Sequence, residues 1–498
     1  MNRRHFIKDL QIGGIALYTV PVITWQCSQP KPFTGIRLIP AGVTGAEPVV
    51  TKPDFRVAFG WSAKQMESGD TITVKPAEDL PNANLYLRFT PALEMRDIKL
   101  LSVYTAENDE PLGVIDIRNS SVLVPYELQI DQQYIDTINQ DGLKITLESE
   151  KPFGFYVMSP EKAIPPVFTP HFLVSSKEIG DLNDFLDCFM SVKSIQAFGW
   201  REGTVLDGLW QLYTKKGEER ALQAIKDHFD LYFDANQDLH YENSHNVPRD
   251  NRIDGIESTI PYATLTRINP NHKMLKNVIT GLEGETKENG MITGSMTLTA
   301  EGCYTVAYPL AVMGKAWNDN ALMQKAIEQL KHRFVLIADE SLYLRYYTDT
   351  NKYTYRNWAR GAAWTLLGFA RTIVELKEDI QDEEVLAKFK EGIDIALSMQ
   401  KENGLWNGFM HTDNAVDTSG SAGICAAIMT GINNGLLPET YRPHAEKCWT
   451  ALQNYLTPDG FLKSVSQDNR GGEELQASDY RVIAQMGMGL MAQLYAEL

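Results

Sequence analysis

The stretch RNWARGAAWTLLGFARTIVEL, residues 356–376, sets Trp358, Arg360 and Trp364 at the head of a long apolar run that reads as a buried helix. A helix start offers unbonded N–H groups and the positive end of a dipole. Arg360 adds a full charge there, so this end suits an anion. The run has counterparts on both sides: EGTVLDGLWQLY from Glu202, DGIESTIPYATL from Asp254, AEGCYTVAYPLAVMGKAW from Ala300, SGSAGICAAIMTGI from Ser419 and SDYRVIAQMGMGLMAQLY from Ser478. With Arg360 included, the six starts are separated by 52, 46, 60, 59 and 59 residues, which is an internal repeat.

Amphipathic, charge-bearing stretches alternate with these runs, among them EERALQAIKDHFDLYF, NALMQKAIEQLKHRF and EEVLAKFKEGIDIALSM. DLNDFLDCFMSVKSI precedes the first run, so six apolar helices meet six amphipathic ones. Helices that are apolar all round belong inside and amphipathic ones outside. The pattern therefore predicts a mainly α fold, a six-hairpin (α/α)6 toroid over 177–498. In such a ring the starts of the inner helices gather at one mouth.

Ahead of the toroid the period is two rather than 3.6. FRVAFGW, TITVKP, NLYLRF, IKLLSVYTA, GVIDI, SSVLVPY, LKITLES and FGFYVM are short β-prone segments separated by turn signals, and they predict a β-sandwich over 28–160. The proline-rich PEKAIPPVFTP marks a linker, 161–176. No acid, His and Trp set concentrates in the front strands, so that domain is expected to pack on the toroid and to give substrate at most a rim contact. Trp61, in FGW, is expected in the core.

Residues 1–27 read as an export signal. NRRHFIK followed by IGGIALYTVPVITW has the twin-arginine, Phe and hydrophobic order of a Tat leader, too short and too rich in Gly and Pro for a membrane span. The expected location is periplasmic or at the cell surface. Cys27, in TWQCSQP, raises a lipid anchor as an option, although Trp25 and Gln26 stand where small residues precede a lipidated Cys. Cys188, Cys303, Cys425 and Cys448 lack C-x-x-C spacing and read as buried small side chains. With 47 basic and 64 acidic residues the chain carries a net charge of -17 and no long basic run, which excludes a nucleic-acid partner.

The mouth of the ring would collect Arg201, Glu202, Asp254, Glu257, Glu301, Trp358, Arg360, Ser419, Ser421, Asp479 and Arg481. Each taken alone reads as a helix cap or a dipole partner. Six ends converging on one cavity read as a binding site. Carboxylates across a cleft lined with indoles suit carbohydrate chemistry, since indole faces stack on sugar rings and a carboxylic acid of raised pKa donates a proton. Asp254 and Glu301, each followed by Gly, are the leading pair. His245, in HYENSH, sits in a loop expected beside the mouth. His228 and His332 are expected on solvated outer faces. There is no G-x-G-x-x-G, Walker loop or G-x-S-x-G, and no two histidines share a helix face at metal-ligand spacing, so neither cofactor nor metal is expected.

From about Gly199 onward the chain resembles the unsaturated glucuronyl and rhamnogalacturonyl hydrolases of glycoside hydrolase families 88 and 105. GWREGTVLDGLWQLYTKKGE is similar to their opening helical segment, IDGIESTIPYATLTRI to the helix with their first Asp, and TAEGCYTVAYPLAVM to the helix with the catalytic Asp. RNWARGAAW resembles their W-G-R-G-N-G-W, and WNGFMHTDNAVDTSGSAGICAAIMTGINNGLL their late segment with the S-G-S-A helix. The resemblance implies exo-action on lyase-generated oligosaccharides that end in a uronic acid with a C4=C5 double bond. It implies hydration of that bond: a carboxylic acid protonates C4, water adds at C5, and the hemiketal rearranges to release the sugar.

By position, Glu301 would be the acid and base and Asp254 its helper. Arg360, Ser419 and Ser421 would hold the carboxylate, Trp358 and Trp364 the ring, and His245 and Glu257 further contacts. The chain departs from the family at Glu301, which replaces Asp, at Gly255, where a second Asp is common, and at Ala359, Ala362 and Ala363 in the Trp-Arg motif. Two other readings stand beside this one: a glycosidase for saturated uronides using Glu301 and Asp254, and a non-catalytic surface glycan-binding protein.

Overall fold

The computed structural model describes residues 33–160, 162–294 and 296–498, and the export stretch with Cys27 lies outside the described residues. In the front half, strands alternate buried and exposed positions, as in Leu143–Glu148 and Thr71–Pro76, because one face of each is turned to a shared core. Eight strands form one antiparallel sheet in the order Pro111–Arg118, Ile98–Thr105, Leu143–Glu148, Thr71–Pro76, Ile36–Thr44, His171–Ser175, Asn84–Phe89, Tyr126–Ile130. Ile36–Thr44 pairs with His171–Ser175 through its first five residues and with Thr71–Pro76 through its last four. A strand that changes partners midway lets a sheet fold over on itself. Accordingly the two edge strands, Pro111–Arg118 and Tyr126–Ile130, touch each other. Phe153–Tyr156, Ala63–Met66 and Glu47–Pro48 form a second, three-stranded sheet.

Three readings of the front half need correction. The expected linker 161–176 contains the strand His171–Ser175, so the sheet is completed there. FRVAFGW is not a strand: Arg56 is drawn to Glu242 and Asp250 of the helical half, and the chain then turns through Phe59 (φ 57°) and Gly60 (φ 59°). SSVLVPY is broken at Leu123 (φ 66°), and pairing begins only at Tyr126. Trp61 is buried against Tyr156 and Phe168.

The helical half carries the apolar runs on Trp200–Gln211, Pro261–Ile268, Tyr308–Trp317, Ala359–Leu376, Thr418–Asn433 and Gln485–Glu497. Each packs on the next, and the last packs on the first. The amphipathic helices Leu182–Phe189, Glu219–Tyr232, Met274–Gly284, Asn320–His332, Glu383–Leu397 and Arg442–Leu452 lie against them. Close approach needs small residues. A Cβ on Gly420 would come within 2.6 Å of the Ala359 Cβ, and one on Gly208 within 2.6 Å of the Gly489 carbonyl oxygen. Ala359, and Ala363, whose Cβ lies 2.7 Å from where a Cβ on Gly423 would stand, thus belong to a tight helix–helix contact, where an added methyl costs about 1–3 kcal/mol.

Inside the circuit, the hydroxyls of Tyr304 and Tyr308 donate to Asp207 at 2.6 and 2.8 Å, and Gln493 donates to the Tyr304 oxygen at 3.0 Å. His228 is fully buried rather than solvated, and its Nδ1 lies 2.8 Å from Glu202. The four described cysteines are buried free thiols. No described helix is long and apolar enough to cross a membrane.

Specific polar contacts fasten the two halves. Arg88, with no exposed surface, donates from the front sheet to Asp459 at 2.7 and 2.9 Å. Gln467 donates to the Arg118 carbonyl (2.8 Å) and the Tyr126 hydroxyl (3.0 Å), and Gln485 to the Leu123 carbonyl (2.8 Å). Asn246 and Glu94 exchange two hydrogen bonds, and Glu94 also meets Arg470.

Candidate active site

A cavity of about 150 Å³ opens where the loops before the inner helices meet the front domain. Trp200, Trp358 and Trp364 form its aromatic wall, Glu257 and Glu301 its acids, and Arg96, Arg201, Arg360 and Arg470 its cations; Ser244, Asp468 and Asn469 complete the lining. Trp364 stands edge-on to Trp200 (5.6 Å between ring centroids) and is stacked with Tyr304 (5.9 Å). The indole N–H of Trp358 has no partner among the described residues. In a sugar site such a group is a donor waiting for a hydroxyl.

Glu301 lies just before a π-helical turn, Cys303–Ala307, that precedes Tyr308–Trp317. Such turns are frequent where a helix must aim a functional side chain. The side chain is buried. One carboxylate oxygen accepts from Asn469 Nδ2 at 3.3 Å, and the other has no hydrogen-bond partner among the described residues. Burial pushes its pKa up, and Arg345 opposes the shift. Glu257 is exposed to the water of the cleft, with its neighbours packed around its base. Desolvation, then the charge of Glu301, push it up to about 7, while Arg201 and Arg345 pull the other way. Cleft water tempers the desolvation part, and the repulsion between the two acids remains. Like charges in one cavity disfavour full ionisation of both acids.

Arg360 is 2 % exposed. It donates to the carbonyls of Ser466 (2.6 Å) and Gln467, and its guanidinium lies over Trp358 (4.7 Å) and Trp200 (5.6 Å). Its Nε has no partner, and no described carboxylate lies at ion-pair distance from it. Arg201 and Arg470 differ in both being paired with Asp468. A buried cation without a counter-charge is costly unless a ligand supplies one.

The structure brings together Glu301, Glu257, Trp358, Arg360 and Trp364. Asp254 is elsewhere: its helix begins only at Pro261, and its carboxylate accepts from Arg249 Nε at 2.6 Å outside the cavity lining. Glu257 occupies the place beside Glu301. Ser419 and Ser421 are fully buried at the start of their helix and hydrogen-bond to Asp417. His245 lies in an adjoining groove, with Nε2 3.1 Å from Arg96. Asp479 and Arg481 are held by the 415–416 backbone, and the last inner helix starts only at Gln485. Glu202 accepts from the Gln196 N–H and faces His228, away from the cavity.

Sequence reasoning missed Arg96, Arg345 and the Asp468–Arg470 loop. The loop had a signal in the polar SQDNRGGEE ahead of the sixth run. Arg96 had none, because only the tertiary fold brings it to Ser244.

The Glycosyl Hydrolase Family 88 model matches residues 179–498. Among solved structures, a family 105 glycoside hydrolase from C. acetobutylicum ATCC 824 superposes with a TM-score of 0.54 at 18% identity, covering 63% of this chain and 98% of that one. A possible family 105 member from Salmonella enterica serovar Paratyphi A gives 0.53 at 18% identity, covering 60% and 82%. One from Klebsiella pneumoniae gives 0.52 at 16%, covering 60% and 82%. At these identities the likeness is one of fold.

Proposed function

The chain belongs to glycosyl hydrolase family 88, and we propose that it removes a terminal C4=C5 unsaturated uronic acid from lyase-generated oligosaccharides by hydrating the double bond. The helical circuit is read as an (α/α)6 toroid and the folded-over front sheets as a β-sandwich. The observation that carries the substrate reading is Arg360, a buried guanidinium without a carboxylate partner, set between two indoles and in one cavity with Glu257 and Glu301, while the third acid, Asp468, is paired with Arg201 and Arg470. A planar, anionic sugar ring satisfies all of these at once. Its carboxylate neutralises the cation, its faces lie on Trp358 and Trp364, and C4 and C5 come beside the acids.

Glu257 and Glu301 are the acid and base in this reading, in place of the Asp254 and Glu301 pair. A pair in which one acid keeps its proton suits hydration, in which C4 first takes a proton and water at C5 then loses one. Asp254, paired with Arg249, is a positioning residue for the loop that carries Glu257. The twin-arginine stretch supports action after export.

The experiment is to mix the purified protein with lyase digests of pectin, glycosaminoglycan and ulvan and to follow the ultraviolet absorbance of the C4=C5 bond. Loss of absorbance with release of the terminal sugar is expected. Release of a saturated uronic acid with no absorbance change would replace this reading with that of a saturated-uronide glycosidase. Binding without turnover would replace it with that of a glycan-binding protein.

A further inference from the structure

Beside the active cavity, and sharing Arg96 and Ser244 with it, lies a second groove of about 440 Å³. Its floor belongs to the front half: Lys52, Phe55, Leu93, Lys99, Lys151 and Pro152. Ser244 and His245 of the helical half form part of the far wall. The groove holds four cationic side chains, Lys52, Arg96, Lys99 and Lys151, in a chain of net charge -17. Its two acids are already engaged, Glu94 by Arg470 and Asp97 by Lys99. Lys52, Lys151 and Arg96 have no carboxylate partner among the described residues. Lys52 is 5.2 Å from the centre of the Phe55 ring.

Cations gathered without counter-charges raise the local potential and attract anions. Phe55, Leu93 and Pro152 give such an anion an apolar surface to lie on.

We propose that this groove is an extended glycan subsite, built by the front domain, for the leaving-group end of an oligosaccharide that carries repeated carboxylates or sulfates. The terminal sugar occupies the cavity, the chain passes Arg96, and the following residues lie along Lys52 and Lys151. The front domain thereby selects substrates by length and charge. The direction of the chain rests on the proposed reaction, whereas the anion affinity of the groove does not.

The test uses the full-length protein and its Lys52→Glu/Lys151→Glu double variant. Calorimetry is run with three saturated tetrasaccharides that require no double bond: oligogalacturonate (carboxylates), chondroitin sulfate (carboxylates and sulfates) and cellotetraose (neutral). Either anionic sugar should bind and cellotetraose should not, with affinity falling as salt rises from about 0.05 to about 0.3 M. The double variant should weaken anionic binding about tenfold or more. On unsaturated substrates it should raise KM for a tetrasaccharide by about the same factor and leave a disaccharide unchanged. Lysine-dependent binding without any turnover would keep the groove and remove the reaction. Turnover of disaccharide and tetrasaccharide with equal KM in both proteins, or equal binding of cellotetraose, would overturn the groove.

Discussion

Arg88 in the front half and Arg360 in the helical half are both buried arginines, and they are satisfied in different ways. Arg88 meets Glu127 at 2.8 Å and Asp459 at 2.7 Å, so its charge is answered within the protein. Arg360 has two carbonyls, two indole faces and an unpartnered Nε. The first arrangement fastens two domains together. The second leaves an electrostatic deficit that a ligand can fill. The difference teaches that burial alone does not mark function: Arg333, also buried without a carboxylate, is satisfied by the Thr299, Gln329 and Ile292 carbonyls, whereas Arg360 lines the cavity with its charge unanswered.

The largest effect expected on breaking this contrast lies with the acids that stand across from Arg360. Glu301→Gln and Glu257→Gln keep side-chain shape and remove the exchangeable proton, so kcat on an unsaturated substrate should fall by about 10² to 10⁴ in each. Wild-type kcat should also decline as pH rises past about 7, when Glu257 loses its proton. Asp254→Asn should cost far less, because Asp254 faces Arg249. If Asp254→Asn matches Glu257→Gln in steady-state kinetics, the assignment of Glu257 fails.

The two arginines come next. Arg88→Ala should lower stability by roughly 3–5 kcal/mol, since it leaves Glu127 and Asp459 facing each other without their cation. If the halves unfold together in the wild-type protein, calorimetry should show that transition broaden or split in the variant. Turnover of surviving protein should be near normal. Arg360→Ala should do the reverse, with KM raised by an amount equivalent to about 2–5 kcal/mol and a smaller loss of Tm from the freed Ser466 and Gln467 carbonyls. Equal loss of Tm in the two variants, with unchanged KM for Arg360→Ala, would make Arg360 a structural tie.

How much of this could be read in the sequence follows the same division. The six apolar runs were legible because helices buried all round read as long stretches without a polar face, here recurring at similar intervals, and RNWARGAAW stood out by its indoles. Where each helix begins was less legible. DGIES and SDYRV read as helix starts, yet Gly255 (φ 72°) and Pro261 delay one helix, and the other begins at Gln485. That delay moves Asp254 out of the cavity and Glu257 into it. Ser419 and Ser421 kept the capping role that short polar side chains take at a helix start. In the front half no local pattern distinguishes Arg96 from any exposed arginine. Its place at the cavity is set by docking against the HYENSH loop.

The smallest effect expected compares two buried histidines, one in each half. His171 in the front sheet is held down to about 4 by desolvation and by the nearby Arg88 charge. His228 in the helical half loses solvation too, but Glu202 more than offsets this and raises it. An unfolded histidine titrates near 6.5. For His171 the folded pKa is the lower one, so its contribution is present above about 6.5 and is lost as pH falls toward about 4. For His228 the folded pKa is the higher one, so its contribution is complete below about 6.5 and is lost as pH rises through the folded value. Each has a limiting slope of about 1.4 kcal/mol per pH unit, one proton's worth. Chemical denaturation from pH 4.5 to about 8.5 should therefore show His171→Gln flattening the acid limb and His228→Gln the neutral-to-alkaline one. If His228→Gln instead flattens the acid limb, His228 is neutral in the folded protein, and the Glu202 contact is an ordinary hydrogen bond rather than an ion pair.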